Sequence, residues 1–199
     1  MRPEKNHRPR QVVKAAGTKP YGFMQFWPGP GFGGHCVPVD PFYMAWRARQ
    51  VGLECSFVEL AGRINRQIPE KILWRILRET AKRNMPFHKT AFLVAGVAYK
   101  PNIPDTRESP AFPIIRLLKE AGAKVEYHDP LVPRLPKLRD YPELAEMESQ
   151  PLEALEEKVV VLVTDHDCID YEKLLQAALV LDTRFALRKR GFQAPNVVE

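Results

Sequence analysis

The feature that most narrows the fold is a change of period near residue 87. Beyond it come four short apolar runs, "AFLVAGVAY" (91–99), "AKVEYHD" (123–129), "KVVVLVTDH" (158–166) and "ALVLDTR" (178–184). Each is rich in β-branched residues and nearly continuous in apolar character, as strands buried on both faces are. Helical patterns separate them: "PIIRLLKEAG" between the first two, ending on Gly122, and "DYEKLLQAA" between the last two. Strand, helix, strand at this spacing predicts βαβ units, and so an α/β fold with a doubly wound, Rossmann-like parallel sheet. The proline-rich stretch "DPLVPRLPKLRDYPELAEMESQPLEALEE" reads as a loop with one or two short helices, and the tail "GFQAPNVVE" as irregular.

Residues 40–84 read as helical. "DPFYMAWRARQVG" opens with Asp40 as N-cap and Pro41 at the first helical position, and closes near Gly52. From Phe57 the apolar positions Phe57, Leu60, Ala61, Ile64, Ile68, Ile72, Ile76 and Leu77 recur at three- and four-residue intervals. Pro69 interrupts the stripe, which predicts a kink or two abutting helices. A stripe this long must pack on something, and a second copy of the chain is one economical partner, so a homodimer is expected. The resulting division is a basic tail (1–11), a glycine/cysteine loop with a central helical dimerisation region (12–86), and a Rossmann-like domain (87–199).

The formal charge of +6 invites a nucleic-acid reading, but residues 1–14 hold five cations against Glu4, so the remainder is nearly neutral. With no interleaved aromatics beside the basic run, nucleic acid is not an expected partner. No apolar run approaches the ~20 residues of a membrane helix, and no h-region follows the first residues, so the expectation is a cytoplasmic protein without a membrane partner. Cys36, Cys55 and Cys168 are an odd number at wide spacing, against a disulfide framework, and no C-x-x-C pair suggests zinc. No metal site is expected, His35, His128 and His166 having no ligand spacing.

Two stretches carry chemistry. After the first strand, "KPNIPDTRESPA" places Lys100 and Arg107 where open α/β sheets bind anionic ligands, with Ser109 able to cap the next helix. The same stretch also reads as a plain surface loop in which Asp105 pairs with Arg107. "GVAYKP" lacks a G-x-G-x-x-G, so any phosphate here is held by side chains. The second stretch is "PGPGFGGHCVPVDPFY" (28–43). Its glycines reach backbone angles barred to other residues and let a ligand touch main-chain amides. Cys36 lies at the edge of that loop, just before a helix whose N-terminus favours a thiolate, with Asp40 four residues on as an orienting group or a water-linked base. A lone cysteine beside glycines also fits a small buried hydrophobe. His35 and Cys36 in an extended segment would point apart, against a Cys-His pair. Cys55 and Cys168 read as structural.

The glycine-cysteine stretch resembles the UDP-glucose/GDP-mannose dehydrogenase family, and "GVAYKPNIPDTRESPA", "YHDP" and "VTDH" follow in the order that family has them, from about Val12 to Arg184. The resemblance implies an NAD-dependent enzyme that oxidises the 6-hydroxymethyl of a nucleotide sugar twice, through a cysteine thiohemiacetal and thioester. It assigns Cys36 as nucleophile and Asp40 as the aspartate that assists water and proton transfer. Phe32, Gly33 and Gly34 match the main-chain seat of the sugar, Tyr99 and Lys100 the nucleotide site, and Arg107 a residue reaching the NAD phosphates. The form "GGHC-x-P-x-DPFY", with Val39 where other branches carry lysine, resembles the branch acting on UDP-N-acetylhexosamines, UDP-N-acetylmannosamine or UDP-N-acetylglucosamine. Phe185 replaces the asparagine that commonly follows "DTR".

The family's glycine fingerprint for NAD does not lie ahead of Val12. The chain is therefore expected to carry the central helix and the C-terminal UDP-sugar domain, with NAD bound mainly elsewhere, for instance on a separately encoded N-terminal half, and to turn over little alone. Two other readings stand beside this one: a non-catalytic UDP-sugar binding or assembly module, and a thiol hydrolase of another class.

Overall fold

In the computed structural model, residues 9–199 are described, so most of the expected basic tail lies outside them. Five strands form one parallel sheet: β1 (Ala91–Ala95), β2 (Lys124–His128), β3 (Lys158–Leu162), β4 (Leu179–Asp182) and β5 (Val197–Val198), in the order β2-β1-β3-β4-β5. Its register pairs Phe92 with Val125 and Val159, and Val159 with Leu179. The four expected runs hold the first four strands, although β1 ends at Ala95, short of the apolar Val97 and Ala98, which leave the sheet as buried loop. The fifth is a correction: the tail read as irregular adds a short edge strand, Val197 and Val198 pairing with Val180 and Leu181.

Strand alternation divides the core in two. Phe92, Val94, Val159, Val161, Leu179 and Leu181 face α5 (Ala111–Glu120) and α4 (Ile68–Lys82), whose Ile72, Ile76, Phe112, Ile115 and Leu118 are buried against them. Leu93, Ala95, Val160, Leu162 and Val180 face the opposite way, onto Leu155, α6 (Tyr171–Leu174) and α7 (Ala186–Lys189). Both faces are covered, which is why these strands read as continuous apolar runs rather than alternating ones. The Rossmann-like α/β reading holds.

The helical region consists of α1 (Pro9–Ala16), α2 (Cys36–Arg49), α3 (Ser56–Arg66) and α4. Pro69 has no N–H to donate to the Asn65 carbonyl, and the expected break appears as two helices abutting at Gln67, with Pro69 in the first turn of α4. Helix α2 corrects the predicted start. It begins at Cys36, not at Asp40; His35 is its N-cap in αR conformation, and Asp40 lies one turn inside. Gly62 lets α3 close against the Phe42 ring of α2, where a Cβ would overlap that ring.

Little of the α2–α3 hairpin is buried. Tyr43, Trp46, Leu53, Phe57, Leu60 and Ile64 are exposed, Phe57 almost completely at 89%. No helix among the described residues is long and apolar enough to cross a membrane.

Backbone space sets one clear test. Gly96, just past β1, has φ +80°, and a Cβ there would overlap the Thr164 carbonyl; Gly122, after α5, has φ +85° with nothing within 4 Å. Gly122→Ala should therefore cost only left-handed strain, about 1 kcal/mol. Gly96→Ala adds a backbone collision and should cost at least about 3 kcal/mol, read from urea unfolding midpoints.

Candidate functional site

The carboxyl ends of β1, β2 and β3 meet at one wholly buried carboxylate. Oδ2 of Asp129, the residue after β2, accepts from the amides of Val97 (2.7 Å) and Ala98 (3.1 Å) in the loop leaving β1, while Oδ1 accepts from Leu131 and Val132 in its own turn. His166, from the loop after β3 and equally buried, donates from Nε2 to Asp129 Oδ2 at 3.1 Å. Its tautomer follows from the other nitrogen, since Nδ1 accepts the Asn102 amide at 2.9 Å. Burial alone would raise the Asp129 pKa, but the His166 bond and the amides outweigh it and hold it below the ordinary carboxylate value.

This cluster fixes the loop that carries Tyr99 and Lys100. Asn102, at φ +63°, sits in the left-handed region, and its amide group exchanges two hydrogen bonds with Asp167. Thr164 Oγ1 donates to the Ala98 carbonyl at 2.6 Å. Tyr99 N donates to Asp105 O at 2.9 Å, and Lys100 is left exposed with its ammonium 5.7 Å from the Tyr99 ring. Farther along, Ser109 Oγ accepts from Ala111 N at 3.2 Å, but the N-cap of α5 is Pro110 and not Ser109 as expected. Arg107 forms the pair with Asp105 that the sequence allowed, Nη2 to Oδ2 at 2.6 Å, and is exposed. The hydrogen bond from Arg107 holds Asp105 below its ordinary pKa, and the Asp105 partner raises that of Arg107, with smaller contributions from Tyr99 and Cys36 nearby.

The glycine loop docks on this edge. Gly34 N donates to Arg107 O at 2.9 Å. A Cβ on Gly33 would stand 2.5 Å from Glu108 O and 2.8 Å from Tyr99 Cβ, and one on Gly34, at φ +91°, 2.9 Å from the Tyr99 ring. These two glycines are required by the loop's own approach to Tyr99, a reason the sequence reading had given to a ligand. Phe32 is half-buried, and its amide donates to Asn65 Oδ1 at 3.1 Å. Gly29 rests on Arg184, whose Nη1 would be 2.5 Å from a Cβ there, while Arg184 Nε donates to Asp165 at 3.2 Å.

Beyond the loop, Cys36 is exposed as the first residue of α2. Asp40 is exposed one turn later, which puts thiol and carboxylate on one helix face. His35 is not in an extended segment as expected. Cys168, read as structural, is exposed, and Cys55, read likewise, is half-buried. The structure thus brings Phe32, Gly33, Gly34, Tyr99 and Arg107 into one contact region, with Cys36 at the end of the loop they anchor. The supports Asn65, Arg184 and Asp129 went unrecognised as supports. Only "YHDP" and "VTDH" offered a signal, a buried-type polar residue closing each apolar run.

Two clefts flank the loop. One of about 270 Å³ is lined by Gly34, His35, Val39, Arg107, Lys137 and Tyr141 among others; a second of about 370 Å³, between α2, α3 and α5, is lined by Phe32, Phe42, Asn65, Arg66 and Arg116 among others.

Comparison with known proteins matches the profile "UDP-glucose/GDP-mannose dehydrogenase family, central domain" over residues 6–67 and "UDP-glucose/GDP-mannose dehydrogenase family, UDP binding domain" over residues 93–189. The UDP-N-acetyl-D-glucosamine 6-dehydrogenase of Pseudomonas aeruginosa is 32% identical over 130 residues, covering 65% of this chain and 30% of that protein. The UDP-N-acetyl-D-mannosamine dehydrogenase of Methanococcus maripaludis is 30% identical over an alignment covering 83% of this chain and 39% of that one. Among solved structures, a UDP-glucose dehydrogenase from Pyrobaculum islandicum superposes with a TM-score of 0.72 at 27% identity, covering 94% of this chain and 43% of its own. The chain spans 28–39% of the length of the curated relatives it matches first.

The Asp129 cluster gives a pH test. A depressed folded-state pKa contributes stability in full above the unfolded value, about 3.9, and loses it as pH falls through the folded value. Asp129→Asn puts an amide where donors converge and should cost about 3 kcal/mol at pH 7. Its urea midpoint should also change less than the wild type's between pH 5 and 3.

Proposed function

Because this chain belongs to the UDP-glucose/GDP-mannose dehydrogenase family, we propose that it carries the thiol and uridine-diphosphate parts of an NAD-dependent dehydrogenase that oxidises C6 of a UDP-N-acetylhexosamine to the uronic acid. The observation that carries the proposal is the docking of the glycine loop on Tyr99 and Arg107, which sets an exposed Cys36 at a helix start beside the ligand-binding edge of a parallel sheet.

In this reading Lys100 and Tyr99 hold the uridine diphosphate, and Phe32, Gly33 and Gly34 border the sugar. NAD, when bound, supplies the hydride acceptor. The residues described do not form a dinucleotide cradle: the one glycine of "GVAYKP", Gly96, is closed over by Thr164. Arg107 is this chain's contact toward the cofactor phosphates. Loss of a hydride and a proton from the C6 alcohol gives an aldehyde. The Cys36 sulfur, as thiolate, adds to that carbonyl to form a thiohemiacetal. Loss of a second hydride and a proton leaves a thioester. Asp40, on the same helix face, takes a proton from the water that hydrolyses it, releasing the carboxylate and the free thiol. Two hydrides leave and one water is consumed. We further propose that the exposed stripe of Phe57, Leu60 and Ile64 packs on a second copy of the chain.

Purified chain should bind UDP, and UDP-N-acetylglucosamine or UDP-N-acetylmannosamine should slow iodoacetamide labelling of Cys36 but not of Cys168. Lys100→Ala should weaken UDP at least about fivefold, as loss of a charge-assisted contact does. Protection by a simple ester and not by the UDP-sugars would point to a hydrolase. NADH formation by these 199 residues alone would overturn the expectation that the hydride step needs a further domain.

The stripe has its own test. Phe57→Glu should convert a dimer to a monomer in analytical ultracentrifugation with its circular dichroism spectrum unchanged; a wild-type monomer at tens of micromolar would refute the pairing.

A further inference from the structure

The loop that delivers Cys36 is a thin partition. A cleft of about 270 Å³ opens on the Gly34 and His35 side and one of about 370 Å³ behind Gly31 and Phe32, so apart from the close approach of Gly33 and Gly34 to Tyr99 and Glu108 the loop borders open space. Two amide hydrogen bonds fix it. Gly34 N donates to the Arg107 carbonyl, and Phe32 N donates to Oδ1 of Asn65. Arg107 belongs to the loop between β1 and α5; Asn65 belongs to α3, next in sequence to Ile64 of the exposed stripe. Gly31, at φ +139°, also faces Asn65, whose Oδ1 would lie 3.5 Å from a Cβ there.

From this geometry we propose that Asn65 is a positioning residue: it fixes the height of the glycine loop, and with it the sugar-facing residues and Cys36, from the helix hairpin. The inference rests on the reading of Cys36 and the loop as the sugar site. Helix α3 has two working faces. Phe57, Leu60 and Ile64 point outward, while Gly62 sits on Phe42 and Asn65 reaches the loop. Whatever packs against the outer face bears on the loop through one side chain. The nucleotide end, held by Tyr99 and Lys100, does not depend on that link.

The test compares wild type, Asn65→Leu, which keeps the bulk and removes the acceptor, and Asn65→Asp, which keeps an acceptor oxygen. Asn65→Leu should change the iodoacetamide labelling rate of Cys36 at least about threefold, the scale of one lost hydrogen bond, while Cys168 is unaffected and Asn65→Asp stays near wild type. Calorimetry should show Asn65→Leu weakening UDP-N-acetylglucosamine about three- to tenfold more than UDP. Equal Cys36 rates in all three proteins, or equal loss for both ligands, would overturn the proposal. If wild type binds neither ligand, the functional reading fails, and the labelling rates still decide the role of Asn65. If Asn65→Leu does not fold, hydrogen exchange at the Phe32 amide of the wild type decides it: protection supports the link, and exchange at the rate of a free loop removes it.

Discussion

The carboxyl edge of this sheet hangs on the buried carboxylate of Asp129. Parallel strands hold each other only along their lengths; where they end, the chain must leave the sheet through backbone whose amides have no ladder partner. Here three exits converge and one side chain serves all of them: two amides from the β1 exit, two from the β2 exit, and the His166 ring from the β3 exit. A charge so buried is tolerated because N–H groups from several directions replace its water shell. The reward is geometric. Val97 and Ala98 fixed means Tyr99 and Lys100 fixed, and His166 passes the constraint on to Asn102.

The glycine loop is built on that edge, so its precision is borrowed. Its contacts with Tyr99, Glu108 and Arg107 place it against residues that the Asp129 cluster has already ordered. This changes what the glycines mean. A glycine-rich stretch beside a thiol suggests room for a ligand, and here the direction that a side chain on Gly33 or Gly34 would take is already filled by Glu108 and Tyr99. The loop is glycine-rich because two pieces of backbone must approach to within a side chain's thickness. The thiol comes out exposed because α2 starts immediately afterward and turns away.

Periodicity explains what could be read in advance. Phe92 to Ala95, Val159 to Leu162 and Leu179 to Leu181 are buried on both faces, and continuous apolar runs report that directly. The α3–α4 break was legible because a missing donor at Pro69 has a local consequence. The start of α2 was not. Asp40-Pro41 satisfies every local rule for a helix opening, and Pro41 would be expected to end any helix reaching it from the N-terminal side. Pro38 occupies the first turn, where the absent N–H is unpaired in any case, whereas Pro41 lies inside α2 and deprives the Val37 carbonyl of a partner, a local cost that the rest of the helix outweighs. β5 was missed because two residues carry no period. Asn65 and Arg184 were missed because each acts on backbone more than thirty residues away, and a long-range side-chain to main-chain contact leaves no local pattern.

The Asp105–Arg107 pair illustrates why a plain structural contact and a functional assignment need not compete. Arg107 is paired in this structure, which satisfies the reading of a surface loop with internal charge pairing. The pair lies in water, however, where high dielectric and salt leave such bonds little net strength. A diphosphate brings more negative charge and more acceptor oxygens than one carboxylate, so exchanging Asp105 for it, or sharing the guanidinium fork between the two, is not opposed by a large term. Asp105 also accepts from the Arg107 amide. It therefore keeps the backbone in place even if the side chain exchanges Asp105 for another anion, which is what the proposed role of Arg107 requires.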